Sequence, residues 1–253
     1  DAFQEVDMVG ITRHCVKHNF LVKHVDGLAD TIKKAFYLAR TGRPGPVVID
    51  VAKDVTQALH KFCYPQEQPF IRSYQPIIHA HKGQIKKAVQ LFALAKRPVV
   101  FFGGGIVLAN AEEELRHWIQ LTGVPCVSSL MGLGAYPASH PQFLGMVGMH
   151  GTYEANMAMQ QADVVLALGV RFDDRVISVP EKYLATAKKI IHIDVDPSSI
   201  AKRVPVDVPI VGDIKLALQT MTHQWEEKQL ILDHKGLQCW WEGIEQWRGR
   251  KSL

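Results

Sequence analysis

The chain has 253 residues, 47% of them hydrophobic and 21% charged, an ordinary globular usage that excludes disordered and fibrous classes and leaves one large domain or two smaller ones. Its 29 Lys and Arg against 25 Asp and Glu give a net charge of +4, a small and scattered excess that argues against a nucleic-acid partner. The longest apolar run, Val99 to Ala109, is broken by Gly103, Gly104 and Gly105 and falls far short of the ~20 residues needed to cross a bilayer, so no membrane partner is expected.

Helical periodicity begins at Asp26, a candidate N-cap, and predicts a helix to Arg40 with Leu28, Ile32, Ala35, Phe36 and Ala39 on one buried face. Gly42 ends it, and Pro46 to Val51 reads as a buried strand. Residues 60–78, with Pro65, Pro69 and Pro76, read as a linker. A second pattern then starts with a helix over 82–95, carrying Ile85, Ala88, Val89, Phe92 and Ala95 on one side, and a strand over 98–102. The next helix is predicted from Asn110, three residues before Glu113 in a capping-box arrangement, to Gly123. Strands follow at 125–128 and 143–147, a helix at 152–161, strands at 163–168, 189–194 and 208–211, and a helix from an Asp213 N-cap. Apolar strands alternating with helices predict a doubly wound α/β domain with a parallel sheet of about six strands over 76–228.

Four cysteines without a C-x-x-C (Cys15, Cys63, Cys126, Cys239) read as buried or idle thiols in a reducing compartment. The close pairs His14 with His18 and His79 with His81 lack further converging ligands, so no metal is expected. Trp225, Trp240, Trp241 and Trp247 crowd the end of the chain and predict a partner surface there. With no initiator Met, the chain reads as a piece of something longer.

In open α/β sheets ligands bind beyond the carboxyl ends of the strands. Those ends carry Gly103, Gly104 and Gly105; Ser129, Leu130 and Met131; Met149, His150, Gly151 and Thr152; Gly169, Arg171, Asp174 and Arg175; Asp194, Val195 and Asp196; Gly212 and Asp213. Glycines let a pyrophosphate approach the backbone and leave N–H groups to bind it, arginines supply fork-shaped cationic donors, and carboxylates suit ribose hydroxyls. Each group also has a plainer reading. The three glycines serve a tight turn, Asp196-Pro197-Ser198 caps a short helix, and Asp173-Asp174 is a solvated turn. The full G-x-G-x-x-G spacing is absent, yet polar or glycine-rich residues at all six ends point to an extended nucleotide-type cofactor. In Thr41-Gly-Arg-Pro-Gly-Pro46 a rigid turn explains the glycines and prolines, and the sharper reading aims Arg43 at that cofactor.

Seven blocks stand in a recognisable order: Asp1-Ala-Phe-Gln-Glu5, Lys17-His-Asn-Phe20, Thr41 to Pro46, Ser129-Leu-Met-Gly-Leu-Gly134, Gly148-Met-His-Gly-Thr-Tyr-Glu-Ala-Asn156, Gly169-Val-Arg-Phe-Asp-Asp-Arg175 and Val208-Pro-Ile-Val-Gly-Asp213. The sequence resembles the large catalytic subunit family of acetolactate synthase (acetohydroxyacid synthase), a thiamine-diphosphate-dependent family, and its bacterial members in particular. The resemblance implies the C-terminal part of a pyrimidine-binding α/β domain over 1–58, a linker over 59–75, and a central FAD-binding domain over 76–228. Residues 229–253 would connect to a diphosphate-binding domain. It implies decarboxylation of pyruvate and carboligation to a second 2-oxo acid, giving 2-acetolactate or 2-aceto-2-hydroxybutyrate in valine, leucine and isoleucine biosynthesis. Thiamine diphosphate and Mg²⁺ would serve the full-length enzyme and FAD this chain, without net redox turnover.

Carried over by position, Arg43, Gly103 to Gly105, Ser129 to Met131, Met149 to Thr152, Gly169, Arg171, Asp174, Arg175, Asp194 to Asp196, Ile200, Gly212 and Asp213 would line the FAD site. Phe3, Gln4 and Lys53 would lie near thiamine diphosphate and the substrate entrance. For Phe3 a core aromatic, and for Lys53 a surface cation, are the plainer alternatives. The sequence departs from the family at Ala52, where proline is usual, which would loosen the turn that presents Lys53, and at His14, where proline is also usual, which leaves the local path there open. The family's catalytic glutamate would lie upstream of Asp1, and its Gly-Asp-Gly magnesium motif is not matched, since Gly212-Asp213 is followed by Ile214. The expectation is therefore no catalytic residue, no metal site and no activity in these 253 residues alone. The implied setting is cytoplasmic, with a homodimer or higher oligomer and a small regulatory subunit. The alternatives are a sister thiamine enzyme of the pyruvate oxidase or glyoxylate carboligase type, against which the Gly169 to Arg175 block argues, and a non-catalytic nucleotide-binding module.

Overall fold

A computed structural model describes residue 3 and residues 5–250, and the chain divides into two compact units, Asp1–Pro76 and Ile77–Leu253. In the first unit, helix α1 (Met8–Thr12) leads to strand β1 (His18–Val22), helix α2 (Leu28–Arg40), strand β2 (Val47–Val51) and helix α3 (Lys53–Gln57). β1, which periodicity did not disclose, pairs in parallel with β2 from His18 opposite Val47 to Val22 opposite Val51. Asp26 does not cap α2. It lies inside a 3₁₀ turn, Val25–Gly27, and Gly27 takes the cap position without a side chain to offer.

The buried face of α2 also differs from expectation: Ala35 and Leu38 are buried, whereas Ile32 is 39% and Phe36 65% exposed. The two-stranded sheet covers one stripe of the helix, and that stripe is set by Ala35 and Leu38 rather than by the longer apolar pattern. Ala52 adopts φ −60 and ψ 147, a φ within proline's range, in the extended turn before Lys53. The segment after Ala58 lacks helices and strands but is tied down. Lys33 Nζ donates to Glu67 O at 2.8 Å, and Tyr74 OH donates to Thr41 O at 2.7 Å.

The second unit runs α4 (Lys82–Ala93), β3 (Pro98–Phe102), α5 (Gly104–Leu108), α6 (Glu112–Thr122), β4 (Cys126–Ser128), β5 (Phe143–Met146), α7 (Tyr153–Gln161), β6 (Val164–Leu168), α8 (Pro180–Leu184), β7 (Lys189–Asp194), β8 (Val208–Val211), α9 (Ile214–Glu227) and α10 (His234–Arg248). Its six strands form one sheet in the order β5-β4-β3-β6-β7-β8, every pairing parallel. Successive residues of β3 feed opposite layers. Val100 and Phe102 pack with Phe92, Trp118 and Trp225, while Val99 and Phe101 pack with Met159, Tyr183 and Ile244. This is why the strands are continuously apolar.

Two further expectations are corrected here. Asn110 is not the cap of α6. It stands in the left-handed region at φ 48 and donates its N–H to Val107 O, ending α5, and Ala111 precedes α6 without a side-chain bond. The tryptophans expected to want a partner surface are largely satisfied within this unit: Trp225 and Trp240 are buried, Trp240 Nε1 donates to Pro98 O and Trp241 Nε1 to Gly123 O, both at 3.0 Å. Residues 234–248 are thus a helix packed against α7 and form part of this core. Of the cysteines only Cys126 is buried, and burial pushes its thiol up; Cys15, Cys63 and Cys239 are exposed and free. Among the described residues no helix is long and apolar enough to cross a membrane.

Candidate cofactor site

From β3 the chain moves outward through β4 to β5, returns to β6 beside β3, and moves the other way to β8. The connections after β3 and β6 therefore run to opposite halves of the sheet, and in doubly wound sheets ligands bind at such a switch point. All six candidate loops leave the same sheet edge, because every strand is parallel to its neighbours.

At the switch point the glycines bring backbone against backbone. A Cβ on Gly103 would lie 2.7 Å from Gly169 O, and one on Gly105 would lie 2.5 Å from Gly169 Cα. Gly103 N–H donates to Leu168 O at 3.0 Å and Gly105 N–H to Gly169 O at 3.2 Å. These two N–H groups are committed to the neighbouring loop, which narrows the expectation that the run offers free donors. Gly104 faces the loop after β4, where a Cβ would come 3.1 Å from Met131 Cβ, and Ser129 N–H donates to Phe102 O at 2.9 Å. Gly103 to Gly105, Ser129, Met131 and Gly169 are thus brought together, with Leu130 and Met131 exposed.

The loop after β5 joins the far end of the loop after β6. Met149 N–H donates to Arg175 O at 3.1 Å, and Asn156 clamps Gly148 through both its N–H (2.9 Å) and its carbonyl (3.0 Å). Thr152 caps α7, accepting from Ala155 N–H at 3.3 Å, while Gly151 sits against Met146 O, 2.3 Å from where a Cβ would lie. Met149 and His150 are exposed. Arg171, Asp174 and Arg175 are exposed as well, and Arg171 pairs with Asp173 at 3.5 Å.

On the other side, Asp194 accepts from Asp196 N–H at 2.8 Å, and Gly212 N–H donates to Asp194 O at 3.1 Å. Asp196 accepts from Ser198 N–H at 2.9 Å and Ser198 Oγ at 2.7 Å, so it organises its own turn, close to the plainer of its two readings. Val195 and Ile200 are half-buried beside it. Asp213 caps α9, accepting from Leu216 N–H at 3.0 Å.

Arg43, Phe3 and Lys53 belong to the first unit, and Gln4 lies outside the described residues. Phe3 is 95% exposed, not a core aromatic, and Lys53 is exposed at the start of α3. Arg43 is exposed on a turn anchored by Lys17, whose ammonium donates to Leu38 O and Thr41 O at 2.6 Å and to Tyr74 OH at 2.8 Å. A hollow of about 430 Å³ beside Lys17, Phe20, Lys34 and Tyr74 contains none of the candidate residues. Among the described residues no three His, Cys, Asp or Glu side chains converge to hold a metal ion.

Three residues near this edge hold unmet polar atoms, and of these His192 escaped the sequence reading. Ser128 Oγ, Asp173 Oδ1 and His192 Nδ1 are buried without hydrogen-bond partners among the described residues. Burial also pushes the His192 imidazole down to about 4, against a bond to Val170 O that acts the other way. The available signal for His192 was polarity inside an apolar strand, between Ile191 and Ile193. Unmet polar atoms at the ends of β4 and β7 and in the loop after β6, together with exposed arginines and a glycine-lined switch point, fit a polar, anionic ligand of nucleotide type.

Residues 85–221 match the model of the thiamine pyrophosphate enzyme central domain, and the chain belongs to this family. Over 256 residues it is 51% identical to the acetolactate synthase large subunit of Haemophilus influenzae, covering all of this chain and 44% of that protein. It is 50% identical over 254 residues to the isozyme 3 large subunit of Escherichia coli K12, with the same coverage, and 47% identical to the acetolactate synthase of Mycobacterium leprae over 86% of this chain. The chain is therefore a homologue of the acetolactate synthase large subunit, and it spans less than half the length of these relatives.

Proposed function

We propose that this chain is the cofactor-holding part of an acetolactate synthase large subunit and that its second unit binds FAD along the carboxyl edge of the sheet. The observation that carries this reading is a set of six polar, glycine-rich loops along one edge of a doubly wound sheet, with those after β3, β4 and β6 in contact at its switch point. Arg171 and Arg175 offer fork-shaped donors to a diphosphate, Asp174 and Asp194 offer acceptors to hydroxyls, and the exposed Leu130, Met131 and Met149 offer an apolar surface to a flat ring. Thiamine diphosphate, when bound in the full-length protein, supplies the carbanion chemistry that joins pyruvate to a second 2-oxo acid.

In this reading residues 1–58 close a pyrimidine-binding domain, with Phe3, Gln4 and Lys53 toward the substrate entrance, and the whole subunit works as an oligomer with a small regulatory subunit in branched-chain amino-acid synthesis. The 253-residue chain carries neither the catalytic glutamate nor the magnesium motif, so purified alone it should give no acetoin in a colorimetric turnover assay. Titration of the chain with FAD, followed by flavin fluorescence, tests the cofactor reading. Saturable binding that Arg171→Ala weakens by about ten-fold is expected for one lost charge-assisted contact. No binding by a folded sample overturns it.

A further inference from the structure

We propose that His192 is a positioning residue that fixes the direction in which Arg171 leaves the sheet edge. The inference deepens the cofactor reading above and rests on it. His192 occupies a position in β7 flanked by Ile190, Ile191 and Ile193, and it is 1% exposed. Its Nε2 lies 2.8 Å from Val170 O, which lies beyond the last register pair of β6 with β7, Leu168 with Ile193. A carbonyl only accepts, so Nε2 carries the proton and Nδ1 is left as a buried acceptor without a partner. An aliphatic residue would fill this position without that penalty, so the imidazole has a task that packing does not explain.

The task is visible on the next residues. Phe172 holds φ 50, a left-handed conformation that a bulky residue keeps only when its surroundings impose it. Its ring is buried and stands edge-on to Phe101 at 5.5 Å and to His192 at 5.3 Å. One imidazole thus grips both neighbours of Arg171, Val170 through a hydrogen bond and Phe172 through its ring. Arg171 alone of the three is exposed. An apolar residue at 192 would keep the ring contact and lose the hold on Val170.

The test measures FAD affinity of the 253-residue chain for the wild type, His192→Leu, His192→Gln, Arg171→Ala and the double variant His192→Leu with Arg171→Ala. His192→Leu should weaken FAD by about five- to ten-fold, and His192→Gln, which retains a donor, should recover most of it. In the Arg171→Ala background the same substitution should add less than about two-fold, because its effect passes through the arginine. Full additivity, or wild-type affinity in His192→Leu, overturns the positioning role while leaving the cofactor reading intact. An Arg171→Ala chain that binds as tightly as wild type overturns the cofactor reading itself. The imidazole ¹⁵N shifts of the wild-type chain should report the Nε2-protonated tautomer, and the Nδ1-protonated form would overturn the proposal even if His192→Leu did not fold.

Discussion

Adding one methyl group at three different glycines separates what the switch point requires from what any glycine requires. In Gly169→Ala the new Cβ would lie 2.5 Å from Gly105 Cα and 2.8 Å from Ile214 Cδ1, on a backbone with φ +58. The left-handed conformation costs an L-residue ~1–2 kcal/mol. Forcing packed groups apart adds ~1–3 kcal/mol, for a total of ~2–5 kcal/mol. Gly134→Ala shares the positive φ, +91, but nothing lies within 4 Å, so only the conformational ~1–2 kcal/mol remains. Gly243→Ala, inside α10 with nothing within 4 Å, should stabilise by ~0.5–1 kcal/mol. All five tryptophans lie in the second unit, so their fluorescence in a urea titration reports that unit without interference from the first. The Gly169→Ala midpoint should fall by ~1–2 M urea. If Gly169→Ala and Gly134→Ala differ by less than ~0.5 kcal/mol, the loops after β3 and β6 do not touch and the switch point is not built as described.

His192 also gives a pH dependence. Its pKa is about 4 in the folded chain against 6.5 for the free group, so the unfolded chain binds more protons throughout that interval. Stability should be full above pH 6.5 and fall as the pH drops toward 4, by at most ~3 kcal/mol, and His192→Gln should flatten that part of the profile; an unchanged slope in urea midpoints would contradict the assignment. Asp213→Ala should lower the stability of the second unit by ~1 kcal/mol through loss of the α9 cap, while Asp213→Asn retains most of it, and equal losses in the two variants would show that the cap is not what Asp213 contributes.

The strands and most helices of the second unit were legible because they are long, apolar and regularly spaced: β3, β7 and β8 fall where periodicity puts them. The short helices α5 and α8 were not, since five residues carry too little periodicity to register. Asn110 shows a second reason. The same residue type favours an N-cap and a left-handed stop, and only the preceding α5 decides between them. The tryptophans at the chain end were read as a partner surface because composition says that large apolar groups must be covered, not by what. The cover proved to lie within the same unit, Phe92 and Trp118 for Trp225, and the sheet face with α7 for the tryptophans of α10. Resemblance named the candidate site residues, but it could not separate contact from support, since both occur in the same short blocks.

Hydrogen bonding within the fold makes that separation. Gly103, Gly105, Asp196 and Asp213 have the groups once assigned to a ligand engaged in joining loops, ordering a turn or capping a helix. Substituting any of them would disturb the sheet edge whether or not a cofactor binds there, so lost binding in such variants would say nothing about contact. Arg171, Asp174, Arg175, Met131 and Met149 are exposed on loops whose backbones are fixed from below by Phe172, Asn156 and the glycine pair. A rigid base under exposed, charged tips is how a site can be preorganised without burying its charges. Contact with the cofactor proposed above is therefore to be sought first among the residues the fold does not need, and Arg171, whose two neighbours are held by the buried His192, is the first of them.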